Sequence, residues 1–531
     1  MDASQLIQAG KTALGIEFGS TRIKAVLTDL SGNTLAEGSH TWENSLVNGV
    51  WTYPLDEIHQ GLRDCYRSLR EDTERKYGVR IATVGAIGIS AMMHGYMAFD
   101  KDGNLLTPFQ TWRNSNTQAA ADTLTDLFHF NIPLRWTIAH LYQRILDREE
   151  HVRKLDFVTT LDSYIHWKLT GNKVTGIGDA SGIFPIDSST LDYDAGMMEK
   201  FDTLIQDCGY PWKTKDILPK VLTAGENAGT LTADGAALLD ETGTLQAGIP
   251  LCPPEGDAGT GMVATNSVAP RTGNVSAGTS TFAMLVLEKP LANLHREIDM
   301  VTTPSGFPVA MSHANNGTSD LNAWVSLFAE FEKLMGRTAD MGELYRKLEL
   351  HSLEGDPDCG GLLTYGYYSG EGITKLNEGR PLFTRMPDSA FTLANFMRAH
   401  LYASFAAVKL GLDILLKGEQ VRADRILGHG GLFTVKGVAQ RYLAAAIGTP
   451  VTVMDTASQG GPWGMAVLAA YLLYGRENAS LEDYLDREIF AGQTGSTMEP
   501  DPAEAAGYEK FAARYKAGLP AEQAAVSSMD W

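Results

Sequence analysis

Two short segments, one in each half of the chain, constrain the fold most. Residues 14–28 read Leu-Gly-Ile-Glu-Phe-Gly-Ser-Thr-Arg-Ile-Lys-Ala-Val-Leu-Thr, and residues 273–287 read Gly-Asn-Val-Ser-Ala-Gly-Thr-Ser-Thr-Phe-Ala-Met-Leu-Val-Leu. Each is an apolar strand, a turn of glycine with serine or threonine, and a second β-rich strand. Such a turn exposes consecutive backbone N–H groups and adds hydroxyl donors, which suits phosphate oxygens. One copy alone is most simply a turn between strands. Two copies in matching context predict two similar halves that grip one polyphosphate from opposite sides.

At 531 residues the chain exceeds what one hydrophobic core usually serves, so two domains are expected. Its 44 basic and 64 acidic residues give a net charge of −20, which disfavours nucleic acid as a partner. Local N–H groups, a lysine and Mg²⁺ could still attract nucleotide phosphates. Cys65, Cys208, Cys252 and Cys359 lie far apart, with no CxxC or Cys/His cluster, so neither a zinc site nor a disulfide framework is indicated. The opening Met-Asp-Ala-Ser-Gln-Leu-Ile-Gln lacks the basic and apolar regions of a secretory signal. The longest apolar run, around 463–474, is too short to span a bilayer. The expectation is a cytoplasmic protein with no membrane partner. A homodimer is left open.

Along the chain, 13–30 predicts two strands and 56–77 a helix, with Leu55, Ile58, Leu62, Tyr66 and Leu69 recurring on one face. A strand at Val84–Ser90 leads into Ala-Met-Met-His-Gly-Tyr-Met-Ala-Phe-Asp, 91–100. Residues 119–170 look largely helical, and 187–250 are mixed. In the second half, Leu401, Phe405, Val408, Leu412 and Leu415 mark a long buried helix. Arg425–Gly431 is a strand running into glycines. A helix at Lys436–Ile447, a strand at Pro450–Met454 and an apolar helix at Gly461–Leu473 complete an α/β layer with parallel strands. The expected divisions are 1–265, 266–495 and a loosely attached Ala/Glu-rich tail at 496–531.

These pieces, in this order, resemble the FGGY carbohydrate kinases over roughly residues 13–475. Gly15–Lys24 looks like the family's first phosphate loop. Ile89-Ser-Ala-Met-Met-His-Gly95 is similar to the sugar-binding segment of xylulokinases, and Leu161–Gly171 to the family's Asp-Tyr…Leu-Thr-Gly helix. Asp179-Ala-Ser-Gly182 follows. Glu255-Gly-Asp-Ala-Gly259 resembles the loop holding the catalytic base, and Gly278-Thr-Ser280 the second phosphate loop. Tyr368-Ser-Gly-Glu371 and the glycines at 430–431 complete the set. The resemblance implies an α/β fold of two actin-like, ribonuclease-H-like ATPase domains with a deep interdomain cleft. It implies ATP with Mg²⁺ and a small sugar as the partners, the sugar on the first domain and ATP mainly on the second. Glu17 stands where the family usually has Asp. Trp112-Arg-Asn-Ser-Asn116 departs from Trp-Asn-Asp-Thr-Arg, and Gly370-Glu-Gly-Ile-Thr374 from Gly-Glu-Arg-Thr-Pro. These changes at Asn114, Asn116 and Gly372, expected near the sugar site or its gate, weaken a direct transfer of xylulokinase specificity. They place L-ribulose slightly ahead of D-xylulose.

Phosphoryl transfer needs a positioned hydroxyl, neutralised phosphate charge and a proton acceptor. Asp257, between Gly256 and Ala258, is the candidate acceptor; its plainer use is to cap the segment that follows. Met93 and His94 follow a strand directly, where α/β folds place ligand groups, and could cover and hydrogen-bond a sugar; a packed Met–His pair is the alternative. Trp112 could stack on a sugar face or fill the core. Gly19, Ser20, Thr21, Gly278, Thr279, Ser280 and Gly317 are the phosphate-loop candidates, and Lys24 either points back at the phosphates or is a solvated strand lysine. Gly430 and Gly431 would let the nucleoside approach the backbone, or form an ordinary βα turn. Glu17 and Asp257 are the acids assigned to Mg²⁺, through water. The rivals from other classes are a non-catalytic sugar or nucleotide sensor and an actin-like ATPase without a sugar acceptor.

Overall fold

A computed structural model describes residues 1–454 and 460–529. Of these, 1–269, 299–309 and 460–492 form one compact unit, and 270–298, 310–454 and 493–529 a second. The second expected domain, 266–495, is therefore not continuous. Three of its segments, 266–269, 299–309 and 460–492, belong to the first unit.

The first unit is built on a five-stranded sheet. Its order is Glu255–Gly256, Ala86–Ala91, Thr12–Phe18, Arg22–Asp29, Thr34–Thr41. The first three strands run parallel and the last two are antiparallel additions. Ala86–Ala91 is buried throughout and Thr12–Phe18 nearly so, as expected of strands covered on both faces. Helix Leu55–Tyr77 covers one face through Ile58, Leu62, Cys65, Tyr66 and Leu69, and stops at Gly78 in a left-handed conformation, φ +67°. The stretch expected to be largely helical resolves into Gln118–Phe128, Thr137–Leu146 and Leu161–Thr170, with a short strand at Phe157–Thr159.

The apolar helix Gly460–Tyr474 corrects one expectation. It completes the first unit rather than the second. A Cβ on Gly15 would lie 2.1 Å from the Pro462 carbonyl oxygen and 2.4 Å from the Ala466 nitrogen, so this helix lies directly on strand Thr12–Phe18. Trp463 Nε1 donates to the Gly32 carbonyl (2.8 Å). A helix apolar all round must be buried all round, and Pro462–Tyr471 are. Gly15 is thus a contact glycine between helix and sheet.

The second unit repeats the plan. Its sheet runs Pro308–Ala314, Thr281–Val286, Thr272–Ala277, Arg425–His429, Val451–Met454, Gly495–Met498. Thr272–Ala277 pairs antiparallel with its hairpin partner and parallel with Arg425–His429, which is parallel to Val451–Met454. In both units an antiparallel hairpin leads into parallel strands, the doubled α/β architecture that the two hairpins predict. Helix Leu393–Asp413 is the centre of the second core, buried from Ala394 to Tyr402 without a break. With its continuation to Gly418 it is the longest apolar helix among the described residues, exceeding the 463–474 run in length; 72% of its apolar window is buried inside the protein.

The tail is the second correction. Strand Gly495–Met498 closes the sheet, and helix Pro502–Ser528 buries Tyr508, Phe511 and Tyr515. Arg398 Nη2 donates to both carboxylate oxygens of Glu504, at 2.8 and 2.7 Å, in a buried pair. The Ala/Glu composition hides an aromatic stripe at 508, 511 and 515, which supplies the attachment. Residues 530–531 of the expected tail lie outside the described residues.

Candidate active site

Parallel pairing sets the site. Phe18 is level with Ala91, and Ala91 with Gly256. The segments that leave these strands are therefore neighbours at one sheet edge: the first hairpin turn, Met92–Gly95 and Asp257. This is where ligand groups gather in α/β sheets. Asp257 is the first residue of helix Asp257–Ala264. Met93 N–H donates to Asp257 Oδ1 (3.1 Å), tying the two segments together. Asp257 stays accessible at the surface, yet protein surrounds its carboxylate closely enough for desolvation to raise its pKa. N–H donation from Met93 and Ala258 and the charge of Arg135 oppose that rise.

Glu17 faces the same place. Burial, and then the negative charge of Asp257, push its pKa up to about 7, against the opposing charge of Lys24, its cross-strand partner. Glu17 Oε2 is buried without a hydrogen-bond partner among the described residues. Two repelling carboxylates, one with an unsatisfied oxygen, form an all-oxygen donor pair that fits Mg²⁺. Among the described residues no group of three or more His, Cys, Asp or Glu side chains is arranged to hold a metal. Two carboxylates would leave most of an octahedral shell to water, which Mg²⁺ tolerates.

His94 has φ +72° and Gly95 φ +109°, two successive left-handed residues. For a non-glycine this conformation costs on the order of 1 kcal/mol or more and persists only where neighbours enforce it. They do so here. Gly95 N–H donates to the Arg135 carbonyl (3.2 Å), Thr137 Oγ1 donates to the Gly95 carbonyl (2.6 Å), and the His94 ring stacks on Trp136 (6.4 Å between centroids). Helix Ile177–Ile183 closes the other side: a Cβ on Gly182 would lie 2.6 Å from His94 Nδ1. His94 and Met93 are both buried, at 5% and 6% exposure. Trp112 is 40% exposed, which removes its core-filling reading. Among the described residues no hydrogen bond or ring contact ties it to this cluster. Asn114 is structural: its amide bonds both the N–H and the carbonyl of Trp51 (2.9 and 2.8 Å).

The first turn is held from behind. Trp42 Nε1 donates to the Gly19 carbonyl (2.8 Å), Tyr53 Oη to that of Ser20 (2.6 Å) and Trp42 N–H to that of Thr21 (3.2 Å). The two rings stack at 4.0 Å. With its carbonyls engaged, the turn leaves the Ser20 and Thr21 side chains exposed. The second turn is built alike. The Gly278 carbonyl accepts from Thr318 N–H (2.9 Å) and Thr318 Oγ1 (3.0 Å), and the Thr279 carbonyl from Gly317 N–H (2.8 Å). Thr279 is exposed; Gly278 and Ser280 are half-buried. A Cβ on Gly317 would lie 2.2 Å from the Gly278 oxygen, so this glycine is the clamp itself. Gly430, at φ +93°, has the Ala277 carbonyl where a Cβ would sit (2.6 Å), while nothing lies within 4 Å of that position at Gly431. Glu371 is buried and accepts from the Asn316 N–H and amide (3.3 and 3.2 Å), beside the clamp. The 370–374 segment is thus tied to the second turn through Glu371 and Asn316.

The structure brings Glu17, Lys24, Met93, His94 and Asp257 together in the first unit, and Gly278–Ser280, Gly317 and Gly430 in the second. Sequence reasoning missed Trp42, Tyr53, Arg135 and Asp299. An aromatic pair soon after a glycine turn was a usable signal for the first two. Arg135 Nη2 and Asp299 Oδ2 pair at 2.8 Å across a separation that no local pattern reveals.

Residues 12–263 match the model of the N-terminal domain of the FGGY family of carbohydrate kinases, and residues 273–473 that of its C-terminal domain. L-fuculokinase of Escherichia coli is 26% identical over 260 residues, 45% of this chain and 49% of that protein, so the chain matches about half the length of this relative. Erythritol kinase of Brucella abortus is 23% identical over 97% of this chain and 96% of its own. The solved ligand-bound xylulose kinase of Lactobacillus acidophilus superposes with a TM-score of 0.77 at 17% identity, covering 97% of this chain and 99% of that one.

Proposed function

The chain belongs to the FGGY family of carbohydrate kinases, and on that premise we propose that it transfers the γ-phosphoryl group of ATP to a hydroxyl of a ketopentose, giving the 5-phosphate. The observation that carries this reading is Asp257, fixed at a helix start by Met93 N–H and facing Glu17. The Asp257 carboxylate takes the hydroxyl proton as the oxygen bonds to phosphorus, and the ADP oxygen leaves with the electron pair of the broken bond. His94 and Met93 orient the acceptor. Ser20, Thr21, Lys24, Thr279 and Ser280 supply donors and charge to phosphate oxygens, and the backbone at Gly431 accepts the nucleoside. Glu17 and Asp257 would hold Mg²⁺ through water, and that ion, when bound, neutralises phosphate charge.

L-ribulose stands ahead of D-xylulose as the acceptor because the segments at 112–116 and 370–374 depart from the xylulokinase pattern. The near full-length likeness to an erythritol kinase supports a polyol as the second reading. The test is ADP release with ATP and Mg²⁺ against L-ribulose, D-xylulose, L-fuculose, erythritol and glycerol, followed by product analysis. A rate many times the sugar-free rate with one ketopentose is the expected result. ADP release that no member of the panel stimulates overturns the kinase reading in favour of a sensor or a sugar-independent ATPase.

A further inference from the structure

We propose that Arg135, Asp299 and Asn131 form a wall beside Asp257 that reads the acceptor, admitting neutral molecules with neighbouring hydroxyls and turning away those that carry a carboxylate. The inference rests on the reading of the Asp257 site as the acceptor site. Its first support is position. The Arg135 carbonyl holds Gly95 N–H, the adjacent Trp136 stacks on His94, and Thr137 bonds the Gly95 carbonyl. The segment that carries the guanidinium is therefore locked to the Met93–Gly95 loop, and the charge of Arg135 reaches the Asp257 carboxylate.

The second support is how the three side chains satisfy one another. Arg135 Nη2 donates to Asp299 Oδ2 (2.8 Å), and Asn131 Nδ2 to Asp299 Oδ1 (3.1 Å). Each Asp299 oxygen thus has one protein donor and room for another. Arg135 Nε is buried with no partner among the described residues. Neither charged side chain is sealed off: Arg135 keeps 25% and Asp299 17% of its surface. The wall offers donors and acceptors side by side. A hydroxyl donates and accepts at once, so a pair of adjacent hydroxyls can answer both. A carboxylate only accepts. It would find the wall's one cation already paired to Asp299, with Asp257 a second negative charge close by, and like charges brought together repel.

A purely structural pair, fastening the 299–309 segment to residues 131–135, would have the same distances. Kinetics separate the two. Wild type, Asp299→Asn and Arg135→Gln are assayed with L-ribulose, D-xylulose and erythritol, and with the pentonate and tetronate acids of matching length, alongside KM for ATP and melting temperature. Wild type should favour a neutral acceptor over its acid by at least about tenfold in kcat/KM, the size of one lost or repelled charge contact. Asp299→Asn frees Arg135 and should shrink that preference by about tenfold or reverse it, with KM for ATP unchanged. Arg135→Gln should raise KM for the neutral acceptor by about 10- to 150-fold, the loss of a hydrogen bond to a charged group. A lower melting temperature with the acceptor ratio unchanged assigns the pair to structure and overturns the wall. If the variants fail to fold, calorimetry on wild type decides: a pentonate that binds as tightly as the ketopentose overturns it equally. Absence of sugar-stimulated ADP release in wild type refutes the kinase reading itself, whereas retained turnover with an unmoved ratio refutes the wall alone.

Discussion

Replacing Asp257 by Asn isolates proton transfer from architecture. The Met93 N–H bond at 3.1 Å ends on Oδ1, an acceptor that asparagine keeps. The side chain keeps its shape, and the strand, turn and helix start that carry it depend on backbone pairing. Only basicity and charge are lost. Removing a general base typically costs about 10²–10⁴ in rate, or ~2.7–5.5 kcal/mol of barrier at 1.36 kcal/mol per tenfold. The charge of Asp257 also helps push Glu17 up to about 7, so its removal relieves a repulsion and should leave melting temperature equal or higher. The assay is single-turnover phosphoryl transfer with ATP, Mg²⁺ and the best acceptor, beside acceptor affinity by calorimetry and a thermal melt. The reasoning predicts a fall in rate with acceptor affinity nearly intact and no loss of stability. A variant that keeps more than about a tenth of wild-type turnover shows that Asp257 is not the base.

Other consequences can be checked separately. Thr279→Val removes one exposed hydroxyl from the second turn and should weaken ATP binding by ~1.5–3 kcal/mol without changing acceptor affinity; unchanged nucleotide binding would make that turn merely structural. Gly15→Ala places a carbon 2.1 Å from the Pro462 oxygen, and the helix must shift, at ~1–3 kcal/mol of stability by denaturant unfolding. Glu504→Ala leaves the buried Arg398 guanidinium unpaired and should cost about 3–5 kcal/mol, whereas a loosely held tail would show no change. Glu349 is 3% exposed, and burial pushes its pKa up to about 8 from 4.5. Because the folded state holds that proton more tightly, the associated stability is complete below 4.5 and gone once pH has risen through about 8. Glu349→Gln should therefore raise the melting temperature relative to wild type at pH 8.5 and lose that advantage near pH 5; a pH-independent difference would contradict the assignment.

The local signals in this chain were readable because they are local. Glycine with a hydroxyl residue marked both turns, and apolar periodicity marked Leu55–Tyr77 and the long helix at Leu393. The strand-to-turn transition marked Met93 and His94 as ligand candidates, and the fold sets Met93 against Asp257. What the sequence withheld depends on distant pairing. Gly461–Leu473 is apolar on every side, so its pattern names no partner, and chain order suggested the wrong unit. The tail's aromatic residues at 508, 511 and 515 are diluted among alanine and glutamate. Glu371 reads as part of a family motif, yet one of its oxygens accepts from the Asn316 N–H and amide, a tie only tertiary structure reveals. Arg135 and Asp299 look like ordinary surface charges until the fold pairs them.

The helix at Gly460–Tyr474 also sets a timetable. During synthesis the strands at 12–41 and their covering helix at 55–77 emerge first, and the lid for the other face of that sheet follows only about 380 residues later. At about 5–20 residues per second, the Gly15 face of the first sheet waits roughly tens of seconds for its cover. Pairing segments so far apart in sequence is also the kind of long-range closure that slows folding. Ribosome-bound chains that stop short of residue 460 should therefore carry an uncovered apolar sheet, bind chaperones and yield to protease in the N-terminal half, and they should lose both properties once residue 474 has cleared the exit tunnel.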